Sequence, residues 1–585
     1  MNKPTPFGSV HSHSALVVSC LGLVLALAWT AAPAHAATPD EIEAYLTQKM
    51  ATKPIWGMPY ELQGKRMFFT NWYFIHPGNL LWLDEEGNRL NTAEEGAENP
   101  KYDAWGVKLA RPSCPYGIEI VAQKAERMGP IIRPDMPWEK DYVIFKTVMK
   151  DGEKYRAWGK SKPGGDCYFE SEDGVNWRRV ILRQKEFGGS LENNLFKVEP
   201  EGTVFIDPSA PPEERYKCVR GPSIKFDEFK QFVEKHPDKW ETRAVKGLWR
   251  NPEKFRALAG GFSPDGINWT YLSELFTVEH SDGMEVGYYD ERLKKYVVFT
   301  RTFLVGPRSA QWNGSPQVRT WAAPNFGSAR RAIGRMESDT FGDFQLSEPV
   351  IVPVPEEVSP SQSFYTSIWS TIPGAPDNQL MFPAVWDTRD DTCSIGMWSS
   401  HDGKLWSRVP GPPVLETAAY GEWDGGCIFT FPYLTELPNG DFVLPYKGYN
   451  LPHKYPRGYM KLFAGYMCWP KGRIVAVEAK EIGEFATVGI IPPGRKLKVN
   501  ALTKRAGGIQ VEIARLNPTP DEEEFAGFEE VIPGRSFAEC KPIQGDQYWT
   551  TVTWNGDADM GFKEGDCVII RFKMDRAKLF GIEFE

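Results

Sequence analysis

Ser171-Glu172-Asp173-Gly174-Val175-Asn176-Trp177 is one of three copies of a single pattern, S-x-D-G-x-x-W. Ser263-Pro264-Asp265-Gly266-Ile267-Asn268-Trp269 is the second and Ser400-His401-Asp402-Gly403-Lys404-Leu405-Trp406 the third. A degenerate fourth copy begins at Ser338 and sets Phe344 where the Trp would stand. Asp-Gly signals a tight hairpin, because Gly accepts a positive φ while the Asp and Ser side chains bond the local backbone. The Trp is expected to pack on the strand that follows. Each intact copy comes after a strand-like stretch: Cys167 to Glu170, Ala257 to Phe262, and Ser394 to Trp398. These are Asp-box-like turns, read as markers of fold rather than of chemistry. Their Ser residues stand 92, 75 and 62 residues apart, which fits sheets carrying loop insertions and not a strict short-repeat solenoid. Hairpins repeated in this way predict a β-propeller. Four turns plus room for one more sheet favour five blades, with six as the alternative.

The rest of the chain agrees with an all-β class. Tyr142 to Val148, Tyr296 to Thr300 and Gly440 to Tyr446 read as strands. Among 585 residues there are 54 Gly, 47 Pro and 13% aromatics, a composition for many short strands and tight turns rather than a helical bundle. Helical patterning is confined to Asp40–Met50, in the segment 37–60 read as a helix and linker, and to an insertion at Ile224–Lys235. The propeller is assigned to 61–480. From about Ile482 the alternation becomes cleaner, in Lys496 to Leu502, Gly508 to Ile513, Tyr548 to Trp554 and Cys567 to Phe572. Antiparallel strands at that spacing predict a small β-sandwich over 481–585.

The first 36 residues hold one Lys, an apolar stretch from Ala15 to about Trp29, and Ala34-His35-Ala36. They read as a signal peptide cut after Ala36, so the protein is expected to be exported, periplasmic or extracellular. The competing reading is a lipoprotein signal at Leu16-Val17-Val18-Ser19-Cys20, but the apolar stretch runs on past Cys20. No later segment is apolar enough to span a membrane. The formal net charge of −9 argues against a non-specific nucleic-acid binder. Eight scattered cysteines remain beyond Cys20, with no CxxC, which argues against a zinc site and is too sparse for a disulfide framework. No cofactor is called for, although a structural Ca²⁺ on the propeller axis is compatible with the fold; the oligomeric state is not encoded.

Several segments resemble a group of secreted bacterial proteins described as glycoside-hydrolase-like five-bladed propellers, distantly akin to glycoside hydrolase families 32 and 43. They are Ser190-Leu191-Glu192-Asn193-Asn194, Phe205-Ile206-Asp207-Pro208, Pro212 to Lys217, His280-Ser281-Asp282, Arg331 to Asp339 and Gly421 to Gly426. Gly508 to Ile513, Phe537 to Ile543 and Ile569 to Lys573 extend the likeness through the C-terminal module. The resemblance implies a carbohydrate substrate and sugar-bond chemistry. Families 32 and 43 carry an Asp in the first blade, whereas Asn71 to Asn79 here holds no carboxylate, so their catalytic triad is not carried over.

Glycoside hydrolysis needs two carboxyl groups flanking the scissile bond. Four candidates are quoted from the chain: Asp282, Glu422, Asp424 and Glu192. Asp282 stands just before the strand Val286 to Tyr289, with His280 two residues away on the same face. Glu422 and Asp424 flank Trp423 and would share one face of a strand, where mutual repulsion would raise one pKa. Glu192 precedes Asn193-Asn194, a cluster suited to sugar hydroxyls. Arg301, Arg331 and Arg335 would clamp a carboxylate or sulfate. Trp72, Tyr73, Trp386, Trp423 and Tyr449 would stack on pyranose faces, and Lys447 and His453 belong to a rim loop. The substrate-binding set is therefore His280, Asn193, Arg301, Arg335, Trp423 and Lys447. The leading reading is an exported glycoside hydrolase for a plant or algal polysaccharide, acidic or sulfated ones included. The alternatives are a non-catalytic carbohydrate-binding propeller, a sialidase-like enzyme, and a lyase using His280 and a Tyr.

Overall fold

A computed structural model describes residues 59–78, 81–83, 89–90, 108–111, 113–241, 255–279, 281, 284–305, 329–354, 356–359, 361–517 and 528–585. The leader 1–36 and the expected helix Asp40–Met50 lie outside the described residues, as do His280 and Asp282. The described residues form an all-β molecule with one α-helix, Phe226–Lys235, in the insertion where helical patterning was expected. No helix among them is long and apolar enough to cross a membrane.

Antiparallel meanders follow one another along the chain. The first is Tyr142–Asp151, Lys154–Lys162, Gly165–Ser171 and Arg178–Arg179. The second is Thr203–Ile206, Tyr216–Arg220, Leu258–Ser263 and Thr270–Thr277, and the third Val286–Asp290, Lys295–Val305, Ala329–Ser338 and Glu348–Ile351. The fourth makes four passes between Gln362 and Glu416, each interrupted midway, so that hydrogen bonding divides it into two four-stranded sheets. The fifth consists of Cys427–Thr430, Phe442–Tyr449 and Leu462–Trp469, and its outer position is filled by an early strand, Glu126–Ile132, antiparallel to Leu462–Trp469. An N-terminal strand thus completes a C-terminal sheet.

Each meander touches the next, and the fifth touches the first. Trp158 Nε1 of the first donates to Gly266 O of the second (2.7 Å), and Tyr296 OH of the third donates to Asp207 Oδ2 of the second (2.7 Å). Tyr288 and Trp369 stack at 3.6 Å between third and fourth, and Thr430 Oγ1 of the fifth donates to Phe382 O of the fourth (2.8 Å). Tyr466 OH of the fifth donates to Gly174 O of the first (3.0 Å).

The three S-x-D-G-x-x-W turns join the third and fourth strands of their meanders and share one set of bonds. In the second copy Ser263 Oγ accepts the Gly266 N–H (2.9 Å), while Asp265 Oδ1 accepts the N–H groups of Ile267 and Asn268, both at 2.8 Å. Gly266 has φ +77°, a left-handed value that a Cβ would strain, and Trp158 of the neighbouring meander packs against it. The turns therefore act at the seams between sheets. Replacing Asp265 by Ala strips the acceptor from four donors, the Ser263 hydroxyl, the Ile267 and Asn268 N–H groups and the Asn268 amide, and is expected to cost about 1–3 kcal/mol, measured as a shift of the denaturant midpoint. The degenerate copy keeps one bond, Thr340 N–H to Ser338 Oγ (3.2 Å), and its Phe344 is fully buried.

A nine-stranded sheet closes the chain. Leu497–Asn517 and Val568–Phe584 pair along most of their length, so the runs Lys496 to Leu502 and Gly508 to Ile513 belong to one long bulged strand and Cys567 to Phe572 opens another, while Tyr548 to Trp554 falls on a separate short strand, Asp546–Thr551. Tyr60–Glu61, Arg66–Met67 and Glu119–Ala122 join this sheet. Its strand Val475–Ala486 runs through residues 480 and 481, where the sequence reading divides propeller from sandwich. One hydrophobic core continues from this sheet into the third, fourth and fifth meanders, so no linker separates them. Of the segment compared above with a first-blade motif, Asn71 to Gly78 are described; they precede the first meander and bridge to the end of a closing-sheet strand through Ile75 and Thr487. Cys427 Sγ donates to Cys393 Sγ (2.9 Å) between the fifth and fourth meanders.

Candidate functional site

The second, third and fourth meanders meet around residues 284 and 285, at the start of the third meander's first strand. Strand-pair register places Glu285 directly before Val286, which pairs with Phe299, so Glu285 lies level with Thr300 on the adjacent strand and on the same face of the sheet, while Arg301 points from the other face. Glu285 is buried, and its Oε1 accepts a hydrogen bond from Ser281 Oγ (2.6 Å), which in turn accepts one from Thr300 Oγ1 (2.7 Å). Its backbone is pinned between neighbours: Thr203 Oγ1 of the second meander donates to Glu285 O, and Ser367 Oγ of the fourth donates to Met284 O (2.7 Å). The backbone is thus held from both sides, and the Ser281 hydroxyl orients the carboxylate.

Tyr365 is the centre of a second cluster. Phe364 ends a short strand and is buried; the next residue points the other way, where the fourth meander is interrupted, and the Tyr365 N–H reaches Ala384 O (2.8 Å). The guanidinium carbons of Arg301 and Arg331 lie 4.7 and 4.5 Å from the Tyr365 ring centre, and Arg301 Nη2 also donates to Tyr365 O. The Tyr365 hydroxyl is 2.8 Å from His453 Nε2 and accepts from Lys454 Nζ at 3.1 Å. Asp391 holds that loop, accepting from Trp386 Nε1 (2.8 Å) and from the Lys454 N–H. From the fifth meander, Lys447 Nζ sits 5.3 Å from the Phe429 ring, which packs on Tyr365 at 5.0 Å. Cations interleaved with aromatic faces suit a sugar bearing a carboxylate or sulfate.

The other sequence candidates are dispersed. Glu422 and Asp424 do not share a strand face: the strand begins only at Cys427, and the Gly425 N–H closes a turn on Glu422 O (3.1 Å). Glu422 is exposed, whereas Asp424 is buried and accepts from Arg127 Nε (3.1 Å) and Tyr446 OH (2.8 Å). Trp423 lies over Gly129, Gly448 and Gly465, where added Cβ atoms would fall 2.4–3.3 Å from its ring, so it packs on a lane of glycines crossing three strands. Glu192 is exposed and paired with Arg183 (2.7 Å). Asn193 uses its amide on Lys185 O and Ser190 O and accepts from the Leu195 N–H, bracing its own loop. Arg335 shares a strand face with Arg331 but lies four residues further along, bonded to Glu337 (2.5 Å). Burial alone would lift the Glu337 carboxyl; Arg335, Lys295 and Lys404 outweigh it and hold it at about 2. Of the expected binding set, Arg301 and Lys447 join the Tyr365 cluster. Glu285 and Tyr365 were missed. Glu285 was within reach, since it stands three residues after Asp282 and directly before the strand Val286–Asp290; Tyr365 carries no local signal.

Beside the site, burial pushes the Glu279 carboxyl up to about 7, although Ser347 donates to it from both N–H (3.2 Å) and Oγ (2.8 Å). A folded-state pKa above the unfolded value of about 4.3 means the folded chain holds this proton more tightly. Its contribution is full below that value and is lost as pH rises through about 7. Denaturant titrations from pH 4.5 to 8 are expected to show that decline, and Glu279→Gln to remove it.

No protein-family model matches the chain, and no curated protein matches it. Solved structures give loose likenesses. A thermostable family-43 glycoside hydrolase aligns over 57% of this chain and 92% of its own, at 11% identity and TM-score 0.34. The catalytic domain of a Coprinopsis cinerea GH62 alpha-L-arabinofuranosidase aligns over 59% and 97%, at 11% identity and TM-score 0.35. A Bombyx mori GH32 beta-fructofuranosidase aligns over 78% and 95%, at 8% identity and TM-score 0.31. Among the described residues, no cluster of His, Cys, Asp and Glu is arranged to hold a metal ion.

Proposed function

We propose that the chain is an exported glycoside hydrolase acting on an acidic polysaccharide or oligosaccharide, built as a five-bladed β-propeller braced by a C-terminal β-sandwich. The observation that carries this reading is the gathering of Arg301, Arg331 and Lys454 on Tyr365, next to a first strand headed by the buried Glu285, which pairs with the strand carrying Arg301. In this reading Glu285 and Asp282, three residues upstream, are the two carboxylates. One protonates the leaving oxygen and the other attacks C1 or activates water. The cations hold the sugar's acid group, and the Tyr365 cluster excludes water from one side. A glycan panel read by released reducing ends tests it: hydrolysis confined to uronate- or sulfate-bearing substrates supports the assignment, and inertness toward all of them removes it.

A second reading, β-elimination on a uronate, is favoured by the Tyr365–His453–Lys454 contact alone. There Tyr365 Oη would take the C5 proton, a C4=C5 double bond would form as C4–O4 breaks, and the proton would pass to the departing oxygen. Ultraviolet absorbance of unsaturated products separates it from hydrolysis.

A further inference from the structure

The far end of the third meander's first strand borders a cavity of about 810 Å³, within the size range of small-molecule sites. Tyr288, Tyr289 and Asp290, which end the strand headed by Glu285, line it, so it lies about 16 Å from that carboxylate along the strand. Met149 of the first meander, Phe205 of the second, Trp369 of the fourth and Tyr433 of the fifth also contribute, so the cavity is the second mouth of the hub. Its aromatic surfaces are graded. Trp369 and Tyr288 are buried and stacked, and both donate to Gln379 Oε1, at 3.0 and 3.3 Å. Tyr73 is 40% exposed and offers one ring face, the other being stacked on His401 at 3.8 Å. Trp72, the next residue, is 53% exposed.

Carboxylates outnumber cations in the polar wall: Asp290, Glu291, Asp377, Asp402 and Glu436 stand against Lys150 and Arg292. Asp377 is buried and accepts from Tyr60 OH (2.9 Å), the Gln63 N–H (3.0 Å) and Arg292 Nη2 (2.8 Å), which fixes the rim. Asp402 is committed to its turn and Glu436 to Arg66 (2.8 Å). Asp290 accepts from two N–H groups of its own hairpin through Oδ1, and Glu291 is exposed beside it. Carboxylate oxygens next to a flat ring accept hydroxyl hydrogens while the ring takes a C–H face, and they repel an anionic sugar. The two ends of the hub are thus complementary in charge, cationic at Tyr365 and acidic here.

We propose that this cavity is a second glycan site, taking an uncharged pyranose segment with Tyr73 as its platform and Asp290 and Glu291 as hydroxyl acceptors. The inference rests on the carbohydrate reading above and adds a subsite of opposite preference. The test is calorimetric titration of the full chain carrying Glu285→Gln with uncharged hexaoses of glucose, xylose, mannose and arabinose, and with oligogalacturonate as the charged control. At least one uncharged hexaose is expected to bind, and Tyr73→Ala and Glu291→Lys, each made in that background, are expected to weaken it tenfold or more. Glu291 is exposed, so its replacement leaves the fold intact and covers the case in which Tyr73→Ala fails to fold. Absence of binding by every uncharged hexaose, or binding that survives Glu291→Lys, overturns the proposal. Hydrolysis by the unsubstituted chain is read separately, so a failure here is distinguishable from failure of the hydrolase reading.

Discussion

Glu285→Gln is expected to lower kcat on the best acidic glycan by at least about a hundredfold, the low end of what a positioned general acid or base contributes. Gln keeps the shape and can still accept from Ser281 Oγ, so the bond that fixes the head of the strand survives. It cannot exchange a proton with the leaving oxygen or stabilise developing charge at C1. KM is therefore expected to change little, because the cations and rings around Tyr365 are untouched. A split of this kind separates a reacting carboxylate from a merely structural one, which would lower stability and leave turnover per folded molecule intact. Turnover retained in Glu285→Gln would move the chemistry to another group, and unsaturated products at the normal rate would move it to Tyr365.

The second large effect is on stability. Asp424→Ala is expected to destabilise the chain by about 1–3 kcal/mol, the range for leaving a buried hydrogen-bonding group without its partner. Asp424 is 1% exposed, and its removal strands the buried Tyr446 hydroxyl and leaves Arg127 Nε without its carboxylate. Those groups tie the early strand Glu126–Ile132 to the fifth meander, so the loss falls on the contact that closes the last sheet with an N-terminal strand. Denaturant midpoints of Asp424→Ala and Asp424→Asn would check this, with the Asn variant expected between wild type and Ala. Equal stability in all three would show that the carboxylate does not hold the closure.

What the sequence disclosed depended on whether the determining contacts were local. The S-x-D-G-x-x-W turns were legible because Ser, Asp and Gly bond within four residues, and the observed Asp265 contacts are those the pattern implies. The strand Tyr142–Asp151 and the helix Phe226–Lys235 followed from periodicity for the same reason. The pairing of Glu422 with Asp424 failed because the i, i+2 rule presumes extended backbone, and Gly425 and Gly426 allow a turn there instead. Asn193 was chosen for its polarity, which its own loop consumes. The Tyr365 cluster joins Arg301, Arg331, Tyr365 and His453 from distant parts of the chain, and only the packing of one sheet on the next brings them together. The early strand in the last sheet is equally non-local, as is the run of one core across residues 480 and 481.

The most direct measurement is a crystal structure of the Glu285→Gln chain soaked with a uronate-bearing oligosaccharide. The account predicts a sugar ring seated between residue 285 and Tyr365, its acid group on Arg301, Arg331 or Lys454 and its glycosidic oxygen within hydrogen-bond reach of residue 285. An acidic sugar bound elsewhere, with that end of the hub holding only solvent, would contradict it.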